Sequence, residues 1–193
     1  LHILPHWNWK GREGEITPVF VFTIYDSAEL FINGKSMGVQ KKNNSTPQNR
    51  YRLMWMDVKY EPGTVKVVAF DSNGKIAAES EVKTAGDIYK IVLEADRKVI
   101  KADGEDISFV TVSVVDKNGI PCPTAVNELQ FKVTGAATYR AACNGDATSL
   151  EIFHENKMKL FSGKLVVLVK AVKTAGAIQL EVTGKGLQKG KID

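Results

Sequence analysis

Long apolar runs are missing from this chain, and so are runs of one charge. No stretch approaches the roughly 20 apolar residues a membrane-crossing helix needs, and no membrane partner is expected. The 26 basic and 22 acidic side chains leave a formal net charge of +4 and are scattered singly or in pairs, as at Lys41-Lys42. A nucleic-acid surface gathers its basic residues on one face, so no nucleic-acid partner is expected either. Histidine is scarce, three in 193 residues. His2 and His6 stand at the spacing of a helical metal pair, but Pro5 between them breaks any helix that would align them. No cysteine or carboxylate cluster completes a site, and the calcium-loop pattern is absent. Neither a metal nor a cofactor is expected. There is no G-x-S-x-G elbow and no glycine-rich phosphate loop. No carboxylate pair stands out for glycoside hydrolysis. An independent catalytic centre is not expected in these residues.

Cysteine is nearly absent. Cys122 and Cys143 leave open one disulfide or none, and two small buried free side chains is the simpler reading. Apolar stripes at helical spacing are lacking too; only residues 125–129 and 150–158 could hold a turn or short helix. The chain opens on Leu1 rather than Met and runs straight into an aromatic segment. It is therefore expected to belong to something longer, with any targeting signal carried elsewhere.

What is present is alternation punctuated by turns. Hydrophobic content of 44% and charged content of 25% match a globular chain, which argues against disorder. Two tetrads mark the pattern, Asp71-Ser72-Asn73-Gly74 and Asp116-Lys117-Asn118-Gly119. Their Asn-Gly pairs suggest two consecutive residues at positive φ, as tight turns between twisted strands require. Asn33-Gly34 is a third such signal. The spacing predicts strands over 19–25, 27–32, 36–39, 51–58, 65–70 and 76–82, with a polar loop over 41–49. The strand over 19–25 is apolar on both faces. About six or seven short strands at this spacing describe an immunoglobulin-like sandwich. Residues 84–87 read as a hinge. Beyond them strands are expected over 89–93, 107–115, 129–133, 138–143, 164–172 and 177–183, while Pro121 and Pro123 exclude a central strand at that point. The fold expected is all-β, two tandem immunoglobulin-like β-sandwich domains at 1–86 and 87–193, with a single large barrel as the alternative. The acidic residues Asp103, Asp116 and Asp146 read as turn residues whose side chains bond local backbone.

The aromatic lead-in His6-Trp7-Asn8-Trp9 is the most informative candidate site. Indoles in such a segment cover a core, pack on a neighbouring domain, or stack on a sugar face. Packing on a neighbour is the favoured reading for His6, Trp7 and Trp9.

The run His2-Ile3-Leu4-Pro5-His6-Trp7-Asn8-Trp9, then Gly11-x-x-Gly14, residues 19–25, and Ser27-Ala28-Glu29-Leu30-Phe31-Ile32-Asn33-Gly34-Lys35-Ser36-x-Gly38 resembles a known pattern. It is similar to the domain that follows the catalytic barrel in glycoside hydrolase family 2, in β-galactosidases of the Bacteroides type. The second half resembles the C-terminal domain of the same enzymes through Ala102-Asp103-Gly104-x-Asp106, residues 112–116, Gly119, residues 121–125, Phe131-x-Val133-x-Gly135, Asn144-Gly145-Asp146 and Gly163-Lys164-Leu165. Ala136-Ala137 and Ala141-Ala142 depart from it, standing where glycine or charged residues are expected. In that family the acid/base and the nucleophile are glutamates on the barrel, and no position here matches either motif. The resemblance implies a non-catalytic region that packs on and supports the barrel of the same chain, with an autonomous carbohydrate-binding module as the alternative. It further implies a parent glycosidase of carbohydrate metabolism, periplasmic or secreted, with carbohydrate and a second copy of the parent as further partners.

Overall fold

The computed structural model describes residues 1–43 and 45–193. The chain divides into two compact units, Leu1–Thr84 and Ala85–Asp193, each with its own apolar core. Separate cores replace the single-barrel alternative with two sandwiches.

The first unit stacks two antiparallel sheets. One has the order β1 (His2–Leu4), β2 (Val19–Phe22), β5 (Arg52–Trp55); the other runs β4 (Lys35–Lys41), β3 (Ser27–Ile32), β6 (Thr64–Phe70), β7 (Ile76–Lys83). Period-two alternation decides which side chains meet between them. Ala28, Leu30 and Ile32 from β3 and Val65, Val67 and Ala69 from β6 face Val19, Val21, Leu53 and Trp55 of the other sheet. Each large apolar side chain so enclosed stabilises the unit by about 1.5–3 kcal/mol.

The second unit pairs the sheet β12 (Lys157–Lys159), β10 (Glu128–Gly135), β14 (Ile178–Gly184), β15 (Gly190–Ile192) with the sheet β11 (Ala137–Cys143), β13 (Lys164–Ala171), β9 (Ile107–Asp116), β8 (Ile88–Ala95). Val110, Val112 and Val114 of β9 and Leu165, Val167 and Val169 of β13 meet Leu129, Phe131, Leu180 and Val182.

Turn chemistry follows the sequence with one correction. Asn33 (φ 49°) and Gly34 (φ 81°) both take positive φ and close the β3–β4 hairpin. In the two tetrads only Gly74 (φ 78°) and Gly119 (φ 81°) do so. Each tetrad is instead organised by its aspartate. Asp71 Oδ1 accepts from the N–H groups of Asn73 and Lys75 at 2.8 and 2.9 Å, and Asp116 Oδ1 from those of Asn118 and Ile120 at 2.8 Å. The carboxylate thus substitutes for the second left-handed residue. Asp103 and Asp146 likewise accept from the backbone of residues just beyond them.

Four further expectations change. The strand expected over 51–58 is shorter, because residues from Pro47 to Tyr51 form a helix, α1 (Pro47–Tyr51). Thr46 caps it, its hydroxyl accepting from Asn49 N–H at 3.2 Å, and Pro47 sits in the first turn, where its missing N–H costs nothing. The loop expected over 41–49 therefore holds the end of β4 and the start of this helix, while Asn44 lies outside the described residues. Of the turns or short helices expected at 125–129 and 150–158, a turn forms at 152–155, where Glu155 N–H donates to the Ile152 carbonyl at 3.2 Å, and no helix does; the ends of both stretches join β10 and β12, which pair through Leu129 and Met158. The cysteines are both free, as the simpler reading held, yet only Cys122 is buried and Cys143 is exposed.

Candidate interdomain surface

The lead-in folds onto the first unit rather than away from it. Ile3 points inward from β1, and the chain then turns so that Trp7 enters the core with no exposed surface. Its Nε1–H donates to the Glu61 carbonyl at 2.8 Å, and its ring meets Tyr60 edge-on with centroids 5.1 Å apart. The Trp7 carbonyl accepts from the Thr84 hydroxyl at 2.5 Å, and that hydroxyl accepts from Gly63 N–H at 3.0 Å. The lead-in is thereby stapled to the last residue of its own unit. The expectation that Trp7 contacts a partner is corrected: an indole satisfied and enclosed within one core has no face to offer.

Trp9 and His6 lie at the edge of that core, half-buried. Their rings stack at 4.3 Å and 25°, and the Arg12 guanidinium lies over the Trp9 ring at 5.4 Å. The His6 ring and the Arg12 guanidinium thus both pack on the Trp9 indole. His6 Nδ1 accepts from Asn8 N–H at 3.3 Å, and burial pulls its imidazole below the ordinary 6.5. A neutral ring with an accepting Nδ1 suits both facts. Trp9 Nε1 is buried and has no hydrogen-bond partner among the described residues. Of the three candidates, His6 and Trp9 come together and Trp7 separates from them.

No group of three or more His, Cys, Asp or Glu among the described residues is placed to hold a metal, and no helix among them is long and apolar enough to cross a membrane. Polar side chains that look chemical in sequence are structural. Asp116, 4% exposed, accepts from Gly86 N–H at 2.8 Å in addition to its turn bonds. Tyr139, its hydroxyl pushed up to about 12 by burial, donates to the carbonyls of Phe153 and Glu155 at 3.0 and 2.6 Å. The second unit has a cavity of about 370 Å³ with an apolar floor of Val110, Val169 and Leu180 and a rim of Arg97, Lys98 and Asp193. Ser108 also lines it, its hydroxyl donating to Asp96 Oδ1 at 2.8 Å.

What sequence reading missed is a row of apolar side chains on the outer face of the sheet that contains β2. Phe20 and Phe22 alternating with the core residues Val19 and Val21 were its only sequence signal.

The fold is thus that of two immunoglobulin-like sandwiches, each closed on its own core. Residues 91–193 match glycoside hydrolase family 2 C-terminal domain 5, and residues 14–78 match a domain of unknown function (DUF4982). The chain belongs to glycoside hydrolase family 2, and its second unit matches a C-terminal domain of that family. It is similar to β-galactosidase BoGH2A of Bacteroides ovatus, 42% identical over 97% of this chain and 21% of that protein. It is also similar to a β-glucuronidase of Formosa agariphila, 30% identical over 75% of this chain and 14% of that one. A crystal structure of a β-glycosidase from Bacteroides vulgatus superposes with a TM-score of 0.91 at 33% identity, covering 99% of this chain and 24% of the other. The chain thus spans between about a seventh and about a fifth of the length of these curated relatives.

Proposed function

We propose that these two sandwiches pack on and support the catalytic barrel of a larger family 2 chain that hydrolyses β-galactosides. The observation that carries this is the match to β-galactosidase BoGH2A over 97% of the chain but 21% of that protein, joined to polar residues that are spent on turns and caps. The β-glucuronidase match adds a point of logic. Relatives named for different sugars share this region, which favours a supporting role over one in choosing the sugar.

The test compares the 193-residue chain with the complete gene product on nitrophenyl glycosides. The chain alone turns over none of them, and the complete product hydrolyses the β-galactoside. Turnover by the chain alone that survives repurification and vanishes on changing one of its glutamates would sink the proposal. Retention of the isolated chain on a glycan array would instead support an autonomous carbohydrate-binding module.

A further inference from the structure

In a two-layer sandwich the outer face of each sheet meets water, and strands alternate apolar with polar accordingly. On the outer face of the β4–β3–β6–β7 sheet charged side chains stand beside apolar ones: Glu29 and Glu79 flank Val68, and Lys66, ion-paired to Glu79 at 2.9 Å, lies opposite Phe31. The β1–β2–β5 sheet differs. Register places Leu4 opposite Phe20 and Phe20 opposite Met54, with His2, Phe22 and Arg52 aligned in the next row. An apolar row thus crosses all three strands on the side away from the core. Leu4 is 41% and Phe22 37% exposed, and Ile24 and Met56, two residues beyond Phe22 and Met54, are each more than half exposed. The one formal charge in the two rows is softened, because the Arg52 guanidinium lies over the Phe20 ring at 4.9 Å.

We propose that this outer face of the β1–β2–β5 sheet is the surface on which the catalytic domain of the larger family 2 chain docks, an inference that rests on the reading under Proposed function. Two observations select that occupant. The matched region is a C-terminal domain and a minor share of its relatives, so most of such a protein precedes it, and β1 belongs to this very sheet. Second, three short strands at about 4.8 Å spacing present on the order of a few hundred Å². That is less than the roughly 800 Å² per partner that a free association of two molecules buries. A domain on the same polypeptide needs less, because the tether holds it at about millimolar effective concentration.

The test is thiol accessibility in a Cys143→Ser background, which removes the exposed thiol and leaves the buried Cys122. Leu4→Cys and Phe22→Cys report on the face. Ile76→Cys, at a 65% exposed position on β7, is the control. Maleimide labels all three readily in the 193-residue chain. In the complete gene product labelling of the first two slows by on the order of 100-fold, as for burial that only local opening relieves, and the control is unchanged. Equal rates for the Leu4 and Phe22 variants in both proteins overturn the inference. So does protection already present in the 193-residue chain that grows with its concentration, which would assign the face to a second copy. Hydrolysis of a β-galactoside by the complete product is scored separately. Activity without protection removes the docking face alone, and protection without activity removes the substrate reading alone.

Discussion

A single indole sets the stability of the lead-in. Trp7 fills space between Tyr60 and the sheet residues and satisfies its own donor at Glu61, so truncation leaves both a cavity and an unpaired carbonyl. Trp7→Ala is expected to cost the 193-residue chain about 3–5 kcal/mol, read as a shift in the denaturant midpoint of tryptophan fluorescence. Trp9→Ala, at the half-buried edge, is expected to cost about 1–2 kcal/mol in the same melt. Equal small losses for both would return Trp7 to the surface. Asp116 governs the second unit in a comparable way. Burial alone would raise its carboxyl, but N–H donors from Gly86, Ile120 and Asn118 outweigh that and hold it below the ordinary 3.8. Asp116→Ala strands those donors and is expected to cost at least about 2 kcal/mol, seen in the far-ultraviolet melt but not in the fluorescence melt.

At the scale of elements, strands were legible wherever period two coincided with a turn residue. β3 needed only Ala28, Leu30 and Ile32 ahead of Asn33-Gly34. β6, β9 and β13 declared themselves through β-branched runs. Short elements were not legible. β12 and β15 are three residues each, too short for alternation to register, and exist because β10 and β14 offer open edges. Helix α1 was hidden because no apolar stripe accompanies it; its signal was local, Thr46 followed by Pro47. The candidate site was read in part. Aromatic clustering located His6, Trp7 and Trp9, but a sequence does not tell an indole that enters its own core from one that leaves it. The bond from Trp7 to Glu61, 54 residues away, decided that. Close backbone approach was equally invisible: a Cβ on Gly163 would lie 2.2 Å from the Cys122 carbonyl oxygen. Gly163→Ala is therefore expected to destabilise the second unit by more than about 1 kcal/mol, through both the clash and the positive φ, measured by thermal melt.

Across the whole molecule, acid should separate the two units. Carboxyls held below their ordinary values belong mostly to the second, where Asp96, Asp103, Asp106, Asp116, Asp146 and Glu181 are stabilised by hydrogen bonds; the first has Glu13. A carboxyl depressed in the fold contributes stability above its unfolded value, and that contribution is lost as pH falls through the folded value. Between pH 7 and pH 3 the second unit should thus lose more. The measurement is convenient, because Trp7, Trp9 and Trp55 all lie in the first unit. Tryptophan fluorescence then follows one unit and circular dichroism both, and a larger acid shift by fluorescence would contradict the expectation. Finally, the hairpin clamp at Asn33 bears on how the molecule ages. An asparagine before glycine deamidates when the glycine nitrogen attacks its side-chain carbonyl carbon, expelling ammonia, and water then opens the cyclic imide to an acid. Asn33 resists, since its Oδ1 accepts from Thr64 N–H at 2.8 Å and its Nδ2 donates to the Pro62 carbonyl at 3.2 Å. Asn144 is braced through Lys159 and Glu151. Among the described residues Asn73 and Asn118 stand at exposed turns with only their backbone engaged, so stored protein should gain its new carboxylates there first. Each event takes one unit from a net charge that begins at +4, and the order in which acidic variants emerge on an ion-exchange column becomes a record of which turns are chemically locked.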